Sequence, residues 1–512
     1  MKLCSLSVNI LNAKFVADEA EQKCSEQILH EILDIFPHNI FKMPLRKQAE
    51  ALEHMCFVKV AQTIHSLAVQ LEEDPECCKM SKEELSNMVS ALPAVINENM
   101  IVKVIETIHK TFSRTRRTVG MKTCLEVLLQ KHVQRLELNG LFFKMRLQGT
   151  INSTIRNIVC ARVATMRNLM TLNMVSKCSD EILCVLSEKC PEVSDVNVSI
   201  SDLVTDAGIK ALAKGCLKLE NLGIYKCWNI TTEGIAYVLK HSKNLKKLKC
   251  DQLGAVLINE FSTSKSTFKL THFEQTQTLF EPTAEDVRWV GSACPSLESV
   301  SLFVDDKNLS LVPLLGQIRV LEIETGVMLG DGFIEAIKYL GKSLQTLQLS
   351  CNQVQQEFIV VLGECCPSLT TLHLSTAALE GDELLANPGQ LFSGLTVLHL
   401  QVWKESVLSN KWVDFFLLWC RKLESVLLKA EVGFLTDQYL GTLLAVNPLT
   451  EAKYIVIASD EFVPLTLESV HKLMSSCPAL ENLGLSSWNI TEEEFFQIRD
   501  DIKTNNYNLN IS

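Results

Sequence analysis

Apolar residues along this chain follow two different rhythms. From Val133 onward a frame spaced L-x-x-L-x-L recurs, starting at Val133, Leu169, Val193, Leu219, Leu245, Leu270, Leu297, Ile318, Leu344, Leu369, Leu395, Leu423, Leu449 and Leu480. The frames at Leu270 and Leu449 are degenerate, and most intervals between successive starts lie between 24 and 28 residues. Alternation inside a frame, as in Leu219, Leu222 and Ile224, is the period-two signature of a short strand with one buried face. Between frames, stretches such as Asp206–Lys214, Thr232–Lys240, Gly332–Leu340 and Leu467–Ser475 carry apolar residues at helical spacing. Each repeat therefore predicts strand, turn and helix.

One such unit cannot bury its apolar face alone. The units are expected to stack into a curved solenoid, with parallel strands on the concave face and helices on the convex face. Residues 1–130 lack convincing frames and read as helices. Arg46–Glu73 is a long amphipathic candidate, and Ser81-Lys-Glu-Glu84 is a capping box opening another helix. The predicted class is α/β: an N-terminal all-α segment over 1–130, then a solenoid of about 14 repeats over 131–512. Helices at that end also meet a physical need, since the first repeat would otherwise expose its core.

Cysteine sharpens this picture. It stands three residues before the frame start at Cys190, Cys216, Cys294, Cys366, Cys420 and Cys477, and proline follows at Pro191, Pro295, Pro367 and Pro478. A proline just past a helix end stops the helix, and a small apolar thiol fills a buried position behind it. With the pair LENLGIYKCWNITTEG from Leu219 and LENLGLSSWNITEEE from Leu480, the chain resembles the cysteine-containing leucine-rich repeats. Their consensus runs C-x-x-L-x-x-L-x-L-x-x-C/N-x-x-I-T-D/E-x-G-L. The residue expected eight positions after the frame start is present as Cys227 and Asn352, but is Asp305 and Trp403 elsewhere, so those turns should be less regular. Asp251–Asp286 lacks a clean repeat, its STSKST suggests a loop, and the 31-residue interval after Leu449 leaves room for an insertion.

Composition then excludes several classes. The chain has 512 residues, 47% of them hydrophobic, and a net charge of −11, which rules out a disordered or collagen-like chain and argues against broad phosphate-backbone binding. Its one basic cluster, Arg114, Arg116, Arg117 and Lys122, is short and reads as a solvated linker. Neither a secretory signal nor a run long enough to span a membrane stands out. The 19 cysteines are odd in number and sit among apolar helix and strand residues, so they read as reduced thiols of a cytoplasmic or nuclear protein.

Catalytic signatures are missing. There is no Gly-rich phosphate loop, G-x-S-x-G, H-E-x-x-H or C-x-x-C, and the adjacent pairs Cys77-Cys78 and Cys365-Cys366 lack zinc-ligand spacing. No cofactor or metal is expected. Function is expected to follow from shape, with a protein target meeting the exposed concave residues Tyr225, Lys247, Lys249, Phe303, Glu322, Glu324, Gln348, His373, His399 and Gln401. His373 and His399 are equivalent positions one repeat apart, near Glu322 and Gln348, and read as recognition residues rather than as a catalytic or proton-sensing pair.

Cysteine-type repeat chains resemble, above all, the non-catalytic substrate receptors of cullin-RING ubiquitin ligases, in which N-terminal helices dock an adaptor. Two docking patterns are imitated. Ile28, Leu29, Ile32, Leu33 and Phe36 in QILHEILDIF copy part of the apolar spacing of an F-box, without its leading Leu-Pro or its tryptophan. Leu6 after Ser5, with Phe36-Pro37 and Ile40, imitates an elongin-binding box and cullin box, except that Ile10 stands where a small residue belongs. The resemblance implies a ligase receptor with an adaptor on residues 1–60. A repeat scaffold unrelated to ubiquitin, its N-terminal helices a simple cap, is the alternative.

Overall fold

The computed structural model describes residues 45–76, 78, 80–111, 120–139, 150–274, 283–303, 305–326, 328–381, 391–403, 408–504 and 509–511. Among the described residues four helices come first: α1 (Leu45–Glu73), α2 (Lys82–Ser90), α3 (Ala94–Thr111) and α4 (Met121–Leu128). The capping box at Ser81 forms as the sequence predicts, with Ser81 Oγ accepting from Glu84 N and Glu84 Oε2 from Ser81 N. The strands that follow are β1 (Arg135–Glu137), β2 (Thr171–Asn173), β3 (Asp195–Asn197), β4 (Asn221–Gly223), β5 (Lys247–Lys249), β6 (His272–Glu274), β7 (Ser299–Phe303) and β8 (Val320–Glu324). They continue as β9 (Thr346–Gln355), β10 (Thr371–Glu380), β11 (Val397–Val402), β12 (Ser425–Lys429), β13 (Tyr454–Ala458), β14 (Asn482–Gly484) and β15 (Asn510–Ile511).

All fifteen lie in one open sheet in chain order, every pair parallel. The architecture is a leucine-rich-repeat solenoid with an all-α N-terminal segment. Frame residues such as Leu219, Leu222 and Ile224 are buried, and the buried cluster runs without a break from Ala61 in α1 to Leu509 before β15. None of the described helices is long and apolar enough to cross a membrane.

Two hydrogen-bond devices join neighbouring repeats, the first along most of the sheet and the second at four junctions. In the sheet, two consecutive N–H groups share one carbonyl of the preceding strand: Met170 and Thr171 donate to Gln134, and Glu220 and Asn221 to Ser194. Among the described residues no strand precedes β1. There Glu98 of α3 supplies the acceptor, its Oε1 2.9 Å from Gln134 N and 3.1 Å from Arg135 N, while Oε2 pairs with Arg135 Nε at 3.0 Å. The carboxylate thus stands in for a missing carbonyl, which satisfies donors that would otherwise be orphaned at a covered sheet edge.

The second device sits at the helix starts. Asp180 accepts from the Thr205 N–H and hydroxyl, Asp206 from those of Thr231, and Asp437 from those of Thr466, each threonine being the N-cap of the next helix. Where threonine is absent, Asp306 reaches the bare N–H groups of Gly330, Gly332 and Phe333. Close approach of that aspartate explains the glycine of the repeat motif, because a Cβ on Gly208 or Gly234 would collide with Asp180 or Asp206.

The cysteine punctuation holds in three dimensions. Cys190, Cys216, Cys294, Cys366 and Cys477 are helix C-caps, and with Cys420 all six are buried. Burial raises the Cys190 thiol to about 11 and the other five to about 12. Three sequence expectations shift. STSKST is partly helix: Leu253–Ser264 is helical, with the Ser262, Thr263 and Ser264 hydroxyls bonded back to the Asn259 and Glu260 carbonyls. The frame at Leu449 starts instead at Ala452, since Ile455 and Ile457 are the buried strand residues and Leu449 lies in the turn before it, at φ 49°. A fifteenth strand, β15, follows the last sequence frame.

Tryptophan in the two matching repeats plays two parts. Trp488 occupies the turn position of Cys227 and donates from Nε1 to the Ile457 carbonyl at 2.7 Å, as Cys227 Sγ donates to Val198 at 3.3 Å. Trp228 lies one residue later and is 68% exposed.

Two outcomes are expected. Gly234→Ala should lower unfolding free energy by roughly 1–3 kcal/mol in urea denaturation, although alanine is the better helix former, because the brace to Asp206 must break. Alkylation of native protein at pH 8 with mass-spectrometric readout should leave the six punctuation cysteines unmodified while half-buried Cys160, Cys184 and Cys365 react.

Candidate functional site

The concave face is built by the strand residues between the buried ones. Its central row runs, in register, Glu137, Asn173, Asn197, Gly223, then Glu274, Ser301, Glu322, Gln348, His373, His399, Leu427, Val456 and Gly484, with Lys249 following Gly223. The character of this row changes along the solenoid. It begins as an amide ladder in which Asn173 Nδ2 donates to Glu137 Oε2 at 2.8 Å, becomes charged in the middle, and turns apolar at Leu427 and Val456.

Every concave candidate except Tyr225 lies on a strand. Glu322, Gln348, His373 and His399 are consecutive neighbours in the central row. Phe303 faces Glu324 in register, Gln401 lies between Ser375 and Lys429, and Lys247 lies between Asn221 and His272. Tyr225 follows β4, and its ring has Lys226 Nζ at 5.0 Å and Lys249 Nζ at 5.5 Å from the centroid. The adaptor-docking candidates Leu6, Ile28, Leu29, Ile32, Leu33, Phe36, Pro37 and Ile40 lie outside the described residues.

The histidines are in direct contact. Their rings stack with centroids 4.2 Å apart and planes 15° apart, and His399 Nε2 is 3.3 Å from Ser425 Oγ. Burial holds both imidazoles below the ordinary histidine range, opposed at His373 by Glu322 and reinforced at His399 by His373 itself. Both are therefore neutral at pH 7, since two imidazolium ions at this spacing would repel. Among the described residues no carboxylate hydrogen-bonds either ring, and no group of three His, Cys, Asp or Glu converges as a metal site. What the pair offers a partner is a flat, half-buried surface with hydrogen-bonding edges.

Sequence reading missed several members of this face. Lys249 pairs with Glu274 at 2.7 Å, which the degenerate frame at Leu270 concealed. His272 was passed over for the same reason; its hydroxyl neighbour is Thr271, and burial with Lys247 nearby lowers its pKa. Leu427 and Val456 could have been found by applying the rule of the central row to every frame.

Among known proteins, no family model matches the chain. Curated relatives do match, among them the following two. DNA repair protein rhp7 of Schizosaccharomyces pombe is 25% identical over 39% of this chain and 37% of its own length. GRR1-like protein 1 of Arabidopsis thaliana is 22% identical over 44% of this chain and 39% of its own. The chain thus spans well under half the length of the curated relatives it matches. A crystal structure of the yeast Rad7 and Elc1 complex is similar at 17% identity and a TM-score of 0.44, covering 80% of this chain and 96% of that one. With fifteen parallel strands in chain order and buried cysteines at the repeat boundaries, the fold is a leucine-rich-repeat solenoid whose punctuation resembles that of the cysteine-containing repeats.

Proposed function

We propose that this chain is a non-catalytic substrate-recognition subunit of a cullin-RING ubiquitin ligase, holding a protein target on the concave sheet for ubiquitin-dependent degradation. Residues 1–60 are the adaptor-docking segment in this reading, ahead of a solenoid over 131–512. The observation that carries it is the open concave row itself. Its side chains change from amides to charges to imidazoles to aliphatics over fourteen strands, a surface suited to reading a partner's shape at many points. The resemblance of the cysteine punctuation to ligase receptors supplies the ubiquitin connection, and the similarity to GRR1-like protein 1 agrees with it.

Helix α1 shapes the test. Ala61, Ile64 and Ala68 of α1 are buried in the common core, so a truncation at residue 60 would cut through it, whereas a chain beginning at Leu45 keeps the whole helix. Affinity capture with the intact chain should recover a cullin and its adaptor, and capture with the chain beginning at Leu45 should recover neither. Replacing His373 and His399 together with alanine should leave cullin capture intact and reduce ubiquitination of the bound target. Recovery of no cullin with the intact chain would instead favour a scaffold outside the ubiquitin system.

A further inference from the structure

His373 and His399 occupy equivalent positions on adjacent parallel strands, so register alone holds their rings face to face, with centroids 4.2 Å apart. Beneath them lies the apolar core, with Leu372, Leu374, Leu398 and Leu400 buried. Beside them in the central row stand Gln348 and Leu427, neither of which ionises. Equal spacing in the sequence gives two recognition residues. Ring contact makes them a pair whose charges must be counted together.

The charges around the pair are unevenly placed. Along the two strands themselves the flanking concave residues are Thr371, Ser375, Val397 and Gln401, none of them titratable. Strand β12 presents Ser425, whose Oγ is 3.3 Å from His399 Nε2, and Lys429, which pairs with Asp460 at 3.0 Å. Strand β13 adds the phenol of Tyr454, and β8, two strands from His373, carries Glu322 and Glu324. Glu322 favours a charge on His373, whereas a charge on His373 opposes one on His399. Burial sets both imidazoles below the ordinary histidine value of 6.5.

We propose that His373 and His399 form a single-proton switch on the concave face: a neutral stack at pH 7 that accepts one proton in mildly acidic solution, on His373, and refuses the second. An imidazolium can stack on a neutral imidazole, as a cation lies over an aromatic face, but two imidazolium ions at this spacing repel. His373 is the acceptor because Glu322 lies on its side of the pair. His399, between the charged ring and Ser425, stays neutral. Protonation thus turns a flat neutral patch into a cationic one. A partner that buries the stack without bringing a carboxylate must displace that proton or desolvate a charge, so acidification weakens its hold. Proton uptake belongs to the free chain and stands whether or not the ligase reading does.

The test is the histidine titration of the full chain, isotope-labelled at histidine Cε1 and followed by NMR from about pH 8 to about pH 4.5. Among the 11 histidines, the two signals are identified by their loss in His373→Gln and His399→Gln, glutamine being a side chain the same row already carries at Gln348. In the wild-type chain His373 should protonate below pH 6.5, and His399 about one pH unit or more lower still. His373→Gln should raise the His399 midpoint by removing the charge that opposes it. Glu322→Gln, which leaves both rings in place, should lower the His373 midpoint. A single step at the same pH for both rings, unchanged when the other is replaced, would overturn the proposal. So would a His373 midpoint indifferent to Glu322→Gln, or protonation of His399 ahead of His373.

Discussion

Most strands of this sheet give two N–H groups to one carbonyl of their predecessor, and the rest of the molecule is arranged around that dependence. A repeat closes neither its hydrogen bonds nor its apolar face without a neighbour. The aspartate-to-threonine brace at the helix starts repeats the same dependence on the outer side, so adjacent units are pinned at both the sheet and the helix layer. Stability is accordingly passed along the array, and its first member needs a substitute. Glu98 is that substitute, a buried carboxylate whose cost is offset by three hydrogen bonds, including one from an arginine.

Such a scaffold separates the residues that fold the chain from those free to meet a partner. Buried frame residues, cap cysteines, braced aspartates and close-packed glycines are constrained by neighbours one repeat away. Residues of the central concave row and of the strand-to-helix rim are not. The variety of the row, from Asn173 to His373 to Val456, reflects that freedom. Its stacked histidines illustrate how a parallel register turns two equivalent positions into a contact: residues 26 apart in the chain face each other across one strand spacing.

Legibility in the sequence followed the same division. The strand frames, the helices and the six cap cysteines could be read because each rests on a local period that packing then enforces. The frame at Leu449 was misplaced because Leu449 and Ala452 are both buried, and only the pairing of Ile455 with Leu483 shows which one starts the strand. The matching tryptophans differ in a way the shared motif does not reveal. Trp228 and Trp488 precede the same Asn-Ile-Thr, but the second repeat lacks the turn cysteine, so its tryptophan moves into the turn and the first is left outside. The partners of the concave candidates were not legible either, since Lys249 with Glu274 and His399 with Ser425 meet across strands.

By itself the sequence determined that this is an array of strand–helix repeats punctuated by buried thiols, because hydrophobic period and helix-stop chemistry are properties of adjacent residues. Only the tertiary structure decided what faces what: the stacked imidazoles, the carboxylate that closes the first strand, and the Ile200 N–H that meets the Tyr225 carbonyl of the next loop. Those relations join residues about one repeat or more apart. They are set by register and by competition for a single turn position, which no local pattern encodes.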